Sequence, residues 1–151
     1  LFHVDILEEE KPSPLELGKA LFIGRTDDKP GERYDDLDEI CARYVEPLVE
    51  NARELCGHRK YIDSTQIEAV DRSLKEQRAK EPARIPYQLM PNAKFPNYFL
   101  LTYYAAKVRR DHVKVTAAGF MLRTQDFKTV DSLLAWFKKH YNDKPPPSLA
   151  P

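Results

Sequence analysis

The feature that most restricts the fold of this chain is an internal repeat. The segment YDDLDEICARY at 34–44 aligns without gaps with FKTVDSLLAWF at 127–137. A short apolar run precedes each of them, ALFI at 20–23 and GFML at 119–122. Because the same elements recur in the same order, we expect one structural unit, a strand followed by a helix, to occur twice in the chain.

A strand that begins with a histidine belongs to the same repeat. FHVDI at 2–6 is a near-copy of DHVKV at 111–115, and this match aligns His3 with His112. Both segments alternate apolar and polar residues, as a half-buried strand does. The repeated unit is therefore predicted to be strand, strand, helix.

The second copy is longer, and its pattern predicts a complete α+β domain. An apolar stripe with helical spacing predicts a helix at 64–80, capped by Asp63 or Ser64, and Thr129 is predicted to cap a final helix. Between the two helices, KVRRD is predicted as a basic turn and four segments as strands: 84–92, 97–106, 112–116 and 118–123. This order is typical of an antiparallel sheet with a helix on each face.

The repeat also predicts the domain organisation. Residues 1–57 are expected to be the C-terminal half of a first domain, ending in a long helix. Residues 58–143 are expected to form the complete second domain. The last segment, 144–151, is rich in Pro and is predicted to be an extended tail.

Single residues predict details of the long helix that ends the first copy. Asp36 and Glu39 have the spacing of a capping box, so the helix should begin after Asp36. Pro47 is predicted to kink the helix, because it lacks an N–H and its ring clashes with the preceding turn. Cys41 and Cys56 show no CxxC spacing and are predicted to be buried free thiols of a reducing compartment.

Composition excludes several classes of function. The chain has 24 Lys and Arg against 24 Asp and Glu, whereas a general nucleic-acid or membrane-surface binder carries a net positive charge. No apolar run approaches the roughly 18 residues of a membrane helix. We find no nucleophile motif, metal-ligand spacing or cofactor-binding pattern. The sequence therefore gives no support for an enzyme, and we expect no cofactor and no membrane partner.

The second half of the chain resembles a Src-homology-2 (SH2) domain. The residues that carry the resemblance are HVKV at 112–115, GFML at 119–122 and FKTVDSLLAWF at 127–137. The tandem arrangement, with YDDLDEICARYVEPL running into a second domain, resembles the C-terminal tandem SH2 region of the suppressor-of-Ty family of transcription elongation factors. This resemblance covers essentially all 151 residues.

The resemblance implies a function, a partner and a location. It implies a nuclear module that recognises phosphorylated sequence of the largest RNA polymerase II subunit, in its linker or its C-terminal repeats. The histone-chaperone activity of that family lies in regions outside this sequence. We expect binding of nucleic acid by this segment to be unlikely, given its charge balance.

The sequence departs from the SH2 pattern at the residue that normally grips phosphotyrosine. The family places an Arg on the second strand, because its planar guanidinium meets phosphate oxygens in a bidentate way. Here that strand reads RIPYQLMPN, with Tyr87, Gln88 and Leu89 near the expected position, and Arg84 lies too early. The complete domain is therefore expected to lack an ordinary phosphotyrosine pocket, and the Arg of the first domain would lie upstream of Leu1.

Two groups of basic residues remain as candidates for holding a phosphate. The first follows the resemblance, since His112 and Lys114 match the His-x-Lys positions at the rim of the usual pocket. Arg109 and Arg110 stand beside them. The alternatives are that His112 is a packed histidine and that Lys114 is a solvated surface lysine. In the first copy the match places Asp5 at the Lys position, which argues against a phosphate near His3.

The second group comes from the two ends of the complete domain. Arg59 and Lys60 open it, and Lys138 and Lys139 close its last helix. In the SH2 fold the two ends lie close together, so the resemblance implies a basic cluster that could hold a phosphoserine. The competing interpretation is that Lys138 and Lys139 only complement the carbonyl end of the helix. If neither group binds phosphate, the segment is a structural brace for a neighbouring domain.

Overall fold

The computed structural model describes residues 3–144, which form two compact units, Leu1–Pro47 and Leu48–Pro151. Residues 48–57 thus belong to the second unit, although the predicted domain boundary lies after residue 57; that boundary stays a prediction. Apart from Lys144, the predicted Pro-rich tail at 144–151 lies outside the described residues.

The first unit is a small antiparallel sheet followed by a helix. Its strands are β1 (Ile6–Glu10), β2 (Lys19–Ile23) and β3 (Glu32–Tyr34), in the order β1-β2-β3. The alternation of β2 buries Ala20, Leu21 and Ile23. Its core consists of Leu21, Ile23, Tyr34 and Ile40, with Tyr44 packed against it.

The helix begins where the sequence predicts but is irregular. It comprises α1 (Leu37–Ile40), a π-helical segment (Cys41–Val45) and α2 (Glu46–Gly57). Asp36 caps it by accepting the N–H of Glu39 at 2.8 Å. The π-helical turn lies just before Pro47, which cannot donate a backbone hydrogen bond, and the Glu46 N–H reaches back to the Cys41 carbonyl.

The predicted burial of both cysteines is wrong, because Cys41 and Cys56 are exposed. Each follows a residue that occupies the core position itself, Ile40 in one case and Leu55 in the other. One residue along an α-helix turns the side chain by about 100°, which carries both thiols away from the buried face.

The second unit confirms the predicted antiparallel α+β architecture. Its further elements are α3 (Ile67–Lys80), β4 (Tyr87–Pro91), β5 (Tyr98–Tyr104), β6 (Val108–Thr116), β7 (Gly119–Leu122), β8 (Gln125–Phe127) and α4 (Val130–His140). The five strands form one sheet in the order β4-β5-β6-β7-β8. Each strand is thus antiparallel to its neighbour in sequence, as short connections favour.

Two local predictions for the second unit are wrong. The segment KVRRD is not a turn, because Val108 pairs with Tyr104 and β6 begins there. Helix α3 begins at Ile67, and neither Asp63 nor Ser64 caps it. The Ser64 hydroxyl instead accepts the Gln66 N–H at 3.2 Å, which stabilises the loop ahead of the helix.

Both faces of the sheet are covered by apolar residues. The face toward α3 carries a small core of Val70, Leu74, Met90 and Leu100. The opposite face carries the main core, which includes Leu55, Leu89, Leu101, Val113, Phe120, Leu122, Leu133 and Phe137. Because side chains alternate along each strand, neighbouring residues of β4 and β6 point to different faces of the sheet.

Strand pairing confirms the repeat in its second half. Leu21 lies opposite Tyr34 in the first unit, and Phe120 lies opposite Phe127 in the second. Asp36 and Thr129 both cap the helix that follows. The aligned residues therefore hold the same places in both units.

The alignment of the histidine strands is wrong by two residues. The sheet partners that fix the equivalence are Ile6 opposite Ile23 and Val113 opposite Leu122. Ile6 thus corresponds to Val113, and the place of His112 is taken by Asp5. His3 lies before β1 and is exposed.

Candidate functional site

Strand β4 carries no arginine, as the sequence predicted. On the face toward α3, Met90 is completely buried and packs with Leu100 and α3. The Gln88 side chain donates to the Lys60 carbonyl at 2.6 Å. This part of the strand therefore offers a phosphate neither a cation nor a free side-chain donor.

The four basic candidates on and beside the His-x-Lys strand do not converge. Arg110 pairs with Asp71 of α3, with an N–O distance of 2.6 Å. Lys114 Nζ lies 6.0 Å from the centre of the Tyr98 ring, on the same strand face as His112. Arg109 instead lines a cavity beside Tyr103, so it lies away from Lys114.

His112 is the packed histidine that the sequence left as an alternative. Its ring meets the rings of Phe95 and Tyr98 edge-on, with centroid distances of 6.1 Å and 6.0 Å. Burial lowers the pKa of His112 below its usual value, and the nearby Asp111 carboxylate opposes this shift. The neutral imidazole is therefore the form that the fold favours.

The lowered pKa predicts a pH dependence of stability. Above the unfolded-state pKa of about 6.5, His112 is neutral in both states; as pH falls below it, the unfolded chain takes up a proton more readily and stability declines. Urea unfolding should show a shallower loss between about pH 7.5 and 5.5 for His112→Gln than for the parent. Equal slopes for the two proteins would contradict the assignment.

The second group of basic candidates does come together, around one aromatic ring. Lys60 Nζ lies 4.8 Å from the centre of the Tyr87 ring, and Lys138 Nζ lies 5.8 Å from it. Both lysines line a cavity of about 640 Å³. The remaining residues around the cavity are Gln77, Lys80, Glu81, Ala83, Arg84, Ile85, Pro86, Tyr87, Phe137 and Tyr141.

Backbone hydrogen bonds fix the position of Lys60. Its carbonyl accepts the Leu89 N–H at 2.8 Å, and its own N–H donates to His58 Nδ1 at 3.1 Å. The Ile62 N–H then donates to the Leu89 carbonyl at 2.9 Å, so this segment runs along β4. Lys60 is thereby held beside Tyr87, although 27 residues separate them in sequence.

Helix α4 fixes the position of Lys138. The preceding residue, Phe137, is buried and meets the Tyr87 ring edge-on, at a centroid distance of 5.5 Å. Lys138 follows in the last turn of the helix, next to the buried face. Two cations from opposite ends of the domain thus share one aromatic surface, which favours them through the cation–π interaction.

Not every predicted member of this cluster lines the cavity, and two others were missed. Arg59 and Lys139 are exposed and are not among its lining residues. Lys80 and Arg84 do line it, from the end of α3 and the loop before β4. No local pattern in the sequence distinguishes Lys80 from the other exposed lysines. The Arg84 guanidinium also pairs with Glu81 at 3.1 Å.

This arrangement suits a phosphate monoester attached to an extended chain. Lysine ammonium groups act as mobile point charges, so they bind a phosphate without the fixed bidentate geometry that an arginine imposes. Ile85, Pro86 and Tyr87 add apolar surface beside the charges. Among residues 3–144 no group of three His, Cys, Asp or Glu side chains is placed to hold a metal, and no helix is long and apolar enough to cross a membrane.

Comparisons with known proteins agree with this architecture. A family model described as SH2 domain matches residues 1–140. The chain is 37% identical over 148 residues to transcription elongation factor SPT6 of Drosophila melanogaster, and 32% identical over 146 residues to the Suppressor of Ty 6 homolog of Caenorhabditis briggsae. These alignments cover 93% of the chain but only 8% and 9% of those proteins.

Two solved structures are also similar. One is a tandem SH2 domain of transcription elongation factor Spt6 that binds the phosphorylated RNA polymerase II C-terminal repeat domain. It has a TM-score of 0.78 and 32% identity, over 94% of this chain and 71% of that one. The other, the tandem SH2 domains of Antonospora locustae Spt6, has a TM-score of 0.63 at 19% identity, over 89% of this chain and 74% of that one, and supports the fold alone.

Proposed function

Because the chain belongs to the SH2 domain family, we propose that it is a non-enzymatic phosphopeptide-binding module of a transcription elongation factor. Its ligand is phosphorylated sequence of the largest RNA polymerase II subunit, in the linker or the C-terminal repeats. A similar tandem SH2 domain at 32% identity, which binds the phosphorylated polymerase repeats, supports this partner. Because this ligand is part of RNA polymerase II, the proposed location of the protein is the nucleus.

The observation that carries the proposal is the pair of lysines at the Tyr87 ring. Lys60 and Lys138 hold their ammonium groups 4.8 Å and 5.8 Å from the ring centre, inside a cavity of about 640 Å³. Neither makes an ion pair among residues 3–144, so both charges are available to a ligand. Lys80 adds a further positive charge at the cavity wall.

Phosphoserine or phosphothreonine fits this site better than phosphotyrosine. A phosphotyrosine needs a deep slot with a cation at its base, and the corresponding strand carries buried Met90 instead. Lys60 and Lys138 lie on the opposite side of β4, near the surface. A short phosphorylated side chain reaches them while its own backbone stays extended over the cavity.

A structural brace is the second candidate function, and one observation favours it. The strand that carries the phosphate-binding Arg elsewhere in the family has no Arg here, and Met90 on its α3 face is buried in the core. In that case the module would stabilise a neighbouring domain without contacting phosphate.

Fluorescence anisotropy separates the two functions. Labelled polymerase linker and repeat peptides carrying phosphoserine, phosphothreonine, phosphotyrosine or no phosphate are titrated with the chain at two salt concentrations. We expect phosphate-dependent binding, strongest for phosphoserine or phosphothreonine. Removing both charges with Lys60→Gln and Lys138→Gln should weaken binding by about tenfold or more, since a hydrogen bond to a charged group contributes roughly 1.5–3 kcal/mol before solvent screening.

Neighbouring lysines supply the controls. Lys139→Gln removes the same charge one residue from Lys138 but outside the cavity, so it should leave binding nearly unchanged. Lys114→Gln tests the usual pocket of the family. If phosphorylated and plain peptides bind equally, or not at all, the chain is a brace; loss of binding only in Lys114→Gln would move the site to β6.

A further inference from the structure

A second cavity lies on the other side of the end of α4. It has a volume of about 430 Å³ and is lined by Tyr103, Arg109, Arg110, Asp111, Asn142, Asp143 and Lys144. Tyr141 lines the Lys60–Lys138 cavity, and Asn142, the next residue, lines this one. The two cavities therefore flank the same chain segment.

Strand pairing sets a lower limit on the separation of the two cavities. Tyr87 lies opposite Tyr103 on the neighbouring strand, and Tyr103 lies opposite Arg109 on the next. Directly opposite residues of an antiparallel sheet point to the same face, so these three side chains form one row. Neighbouring strands are about 4.8 Å apart, which places the backbones of Tyr87 and Arg109 about 10 Å apart.

The charges around the second cavity leave two cations without a partner. Of its carboxylates, Asp111 forms an ion pair with Arg123 at 2.6 Å, and Asp143 contacts His140 Nδ1 at 2.7 Å, so Asp143 is the one carboxylate that no arginine neutralises. Its third cation, Arg110, pairs with Asp71. Within the described residues Arg109 and Lys144 form no ion pair, and both face the cavity. The cavity is therefore positive and open to an anion.

We propose that Arg109 and Lys144 form a second phosphate subsite, which takes another phosphorylated residue of the same peptide that occupies the Lys60–Lys138 cavity. This inference rests on the proposed function, since it assumes that the first cavity holds a phosphate. The Arg109 guanidinium can meet phosphate oxygens in a bidentate way, and Lys144 adds a mobile charge beside it.

The separation of the cavities sets a lower limit on the spacing of the two phosphates. An extended peptide advances about 3.3 Å per residue, so about 10 Å corresponds to at least roughly three residues. Tyr103, in the middle of the row, is buried, and its hydroxyl donates to the Tyr141 carbonyl, so the peptide passes over the end of α4 and the spacing can exceed three residues. The peptide passes there in one direction only, so the second phosphate should act on one side of the first and not on the other. Two contacts on one chain raise affinity because the second forms at a high effective concentration.

Anisotropy with doubly phosphorylated peptides tests this subsite. The peptide that binds best with one phosphoserine receives a second phosphoserine three, four or five residues before or after the first, one position per peptide. We expect a peptide with the second phosphoserine on one side, and none on the other side, to bind about three- to tenfold more tightly than the singly phosphorylated peptide. Arg109→Gln and, separately, Lys144→Gln should reduce this gain while leaving the affinity for the singly phosphorylated peptide unchanged.

A charge-matched control and a folding control define the outcomes. Lys75→Gln removes an exposed positive charge of α3 that lines neither cavity, and it should keep the gain. Thermal unfolding of each variant, followed by the fluorescence of Trp136, verifies that it is folded. A gain that is absent, or that Arg109→Gln and Lys75→Gln reduce equally, would overturn the second subsite and leave the proposed function standing. Loss of all phosphate dependence in the parent chain would overturn both.

Discussion

Replacing Arg123 with Met is expected to lower the free energy of unfolding of the second unit by about 3–5 kcal/mol, the cost of leaving a buried charge without its partner. The Arg123 side chain is 5% exposed and that of Asp111 is 11% exposed. Their ion pair joins the loop after β7 to β6, so the variant leaves the Asp111 carboxylate in a poorly solvated place.

Arg123 also ties the end of α4 to the sheet. Its Nη2 donates to Asp111 Oδ2 at 2.6 Å and to the Tyr103 hydroxyl at 3.1 Å. Its Nη1 donates to the carbonyl of His140 at 2.8 Å. This carbonyl lies at the end of α4, where carbonyl groups have no intrahelical N–H as partner. Methionine fills similar volume but makes none of these hydrogen bonds.

The backbone conformation at Arg123 is unfavourable, and the hydrogen bonds of its side chain stabilise it. Arg123 and Thr124 form the two-residue loop between β7 and β8, with φ of 50° and 75°. Two positive φ values are those of a type I′ turn, in which Asn-Gly is preferred. Each such residue costs about 1–2 kcal/mol in the left-handed region, and the hydrogen bonds of Arg123 offset this cost.

Urea unfolding followed by Trp136 fluorescence measures the effect, because the chain has one Trp and it lies in the second unit. Arg72→Met, an exposed arginine of α3, serves as control and should change stability by less than about 0.5 kcal/mol. Combining Arg123→Met with Asp111→Leu should recover part of the loss, since no carboxylate is then left unpaired. A loss below about 1 kcal/mol for Arg123→Met alone would contradict the assignment of a buried ion pair.

Replacing Gly119 with Ala is expected to destabilise the second unit by about 2–6 kcal/mol, with backbone strain and overpacking each contributing about 1–3 kcal/mol. Gly119 has a φ of 137°, which an alanine rarely adopts. A Cβ atom there would clash with the carbonyl oxygen of Phe127. That oxygen belongs to β8, whose partner is β7, so relief of the clash requires the two strands to separate.

Two other positions show that the effect is specific to Gly119. In the first unit, Ala20 occupies the equivalent place in the repeat and is buried without a positive φ. At Gly57, the last residue of α2, an added Cβ meets nothing within 4 Å. Gly57→Ala should therefore be neutral or stabilising by up to about 1 kcal/mol. Equal unfolding midpoints in urea for Gly119→Ala and Gly57→Ala would refute the argument.

Local patterns in the sequence were sufficient for the helices, the longer strands and the repeat, but they did not predict the three-residue strands β3 and β8. Asp36 and Thr129 mark the starts of their helices because the side chain of each cap accepts a backbone N–H within the same turn. The alternation of β6 is equally local, although the basic stretch at its start hid its first four residues, 108–111. Charged residues occur in turns and at strand ends alike, so composition alone misplaced the boundary.

Register between strands was less accessible to sequence reasoning. His3 and His112 match in letters, yet the sheet pairing makes Asp5 the counterpart of His112. Similar strands can be aligned in steps of two without changing which face is apolar, so the pattern itself does not choose between them. The turn length decides the register, and the two units differ in it.

The sequence and the SH2 resemblance indicated some residues of the candidate site, and only the structure showed the others. The departure from the family at β4 can be seen in the letters RIPYQLMPN, and Lys60 and Lys138 follow from the closeness of the domain ends that the SH2 resemblance implies. Lys80 and Arg84 look like ordinary surface residues of a charged helix and its following loop. Only their place around Tyr87 distinguishes them from Arg59 and Lys139.

The sequence by itself determined the order of the helices and the longer strands and the duplicated half-domain, because each is written in spacings of a few residues. The SH2 resemblance implied the loss of the usual phosphate-gripping arginine. The tertiary structure decided which charges meet. Arg123 differs from a surface arginine only through hydrogen-bond partners that lie 12 to 20 residues away in the sequence. Lys60 and Lys138, which are 78 residues apart in the sequence, both contact the Tyr87 ring. Side-chain convergence depends on how sheet and helices pack, and no local pattern contains that information.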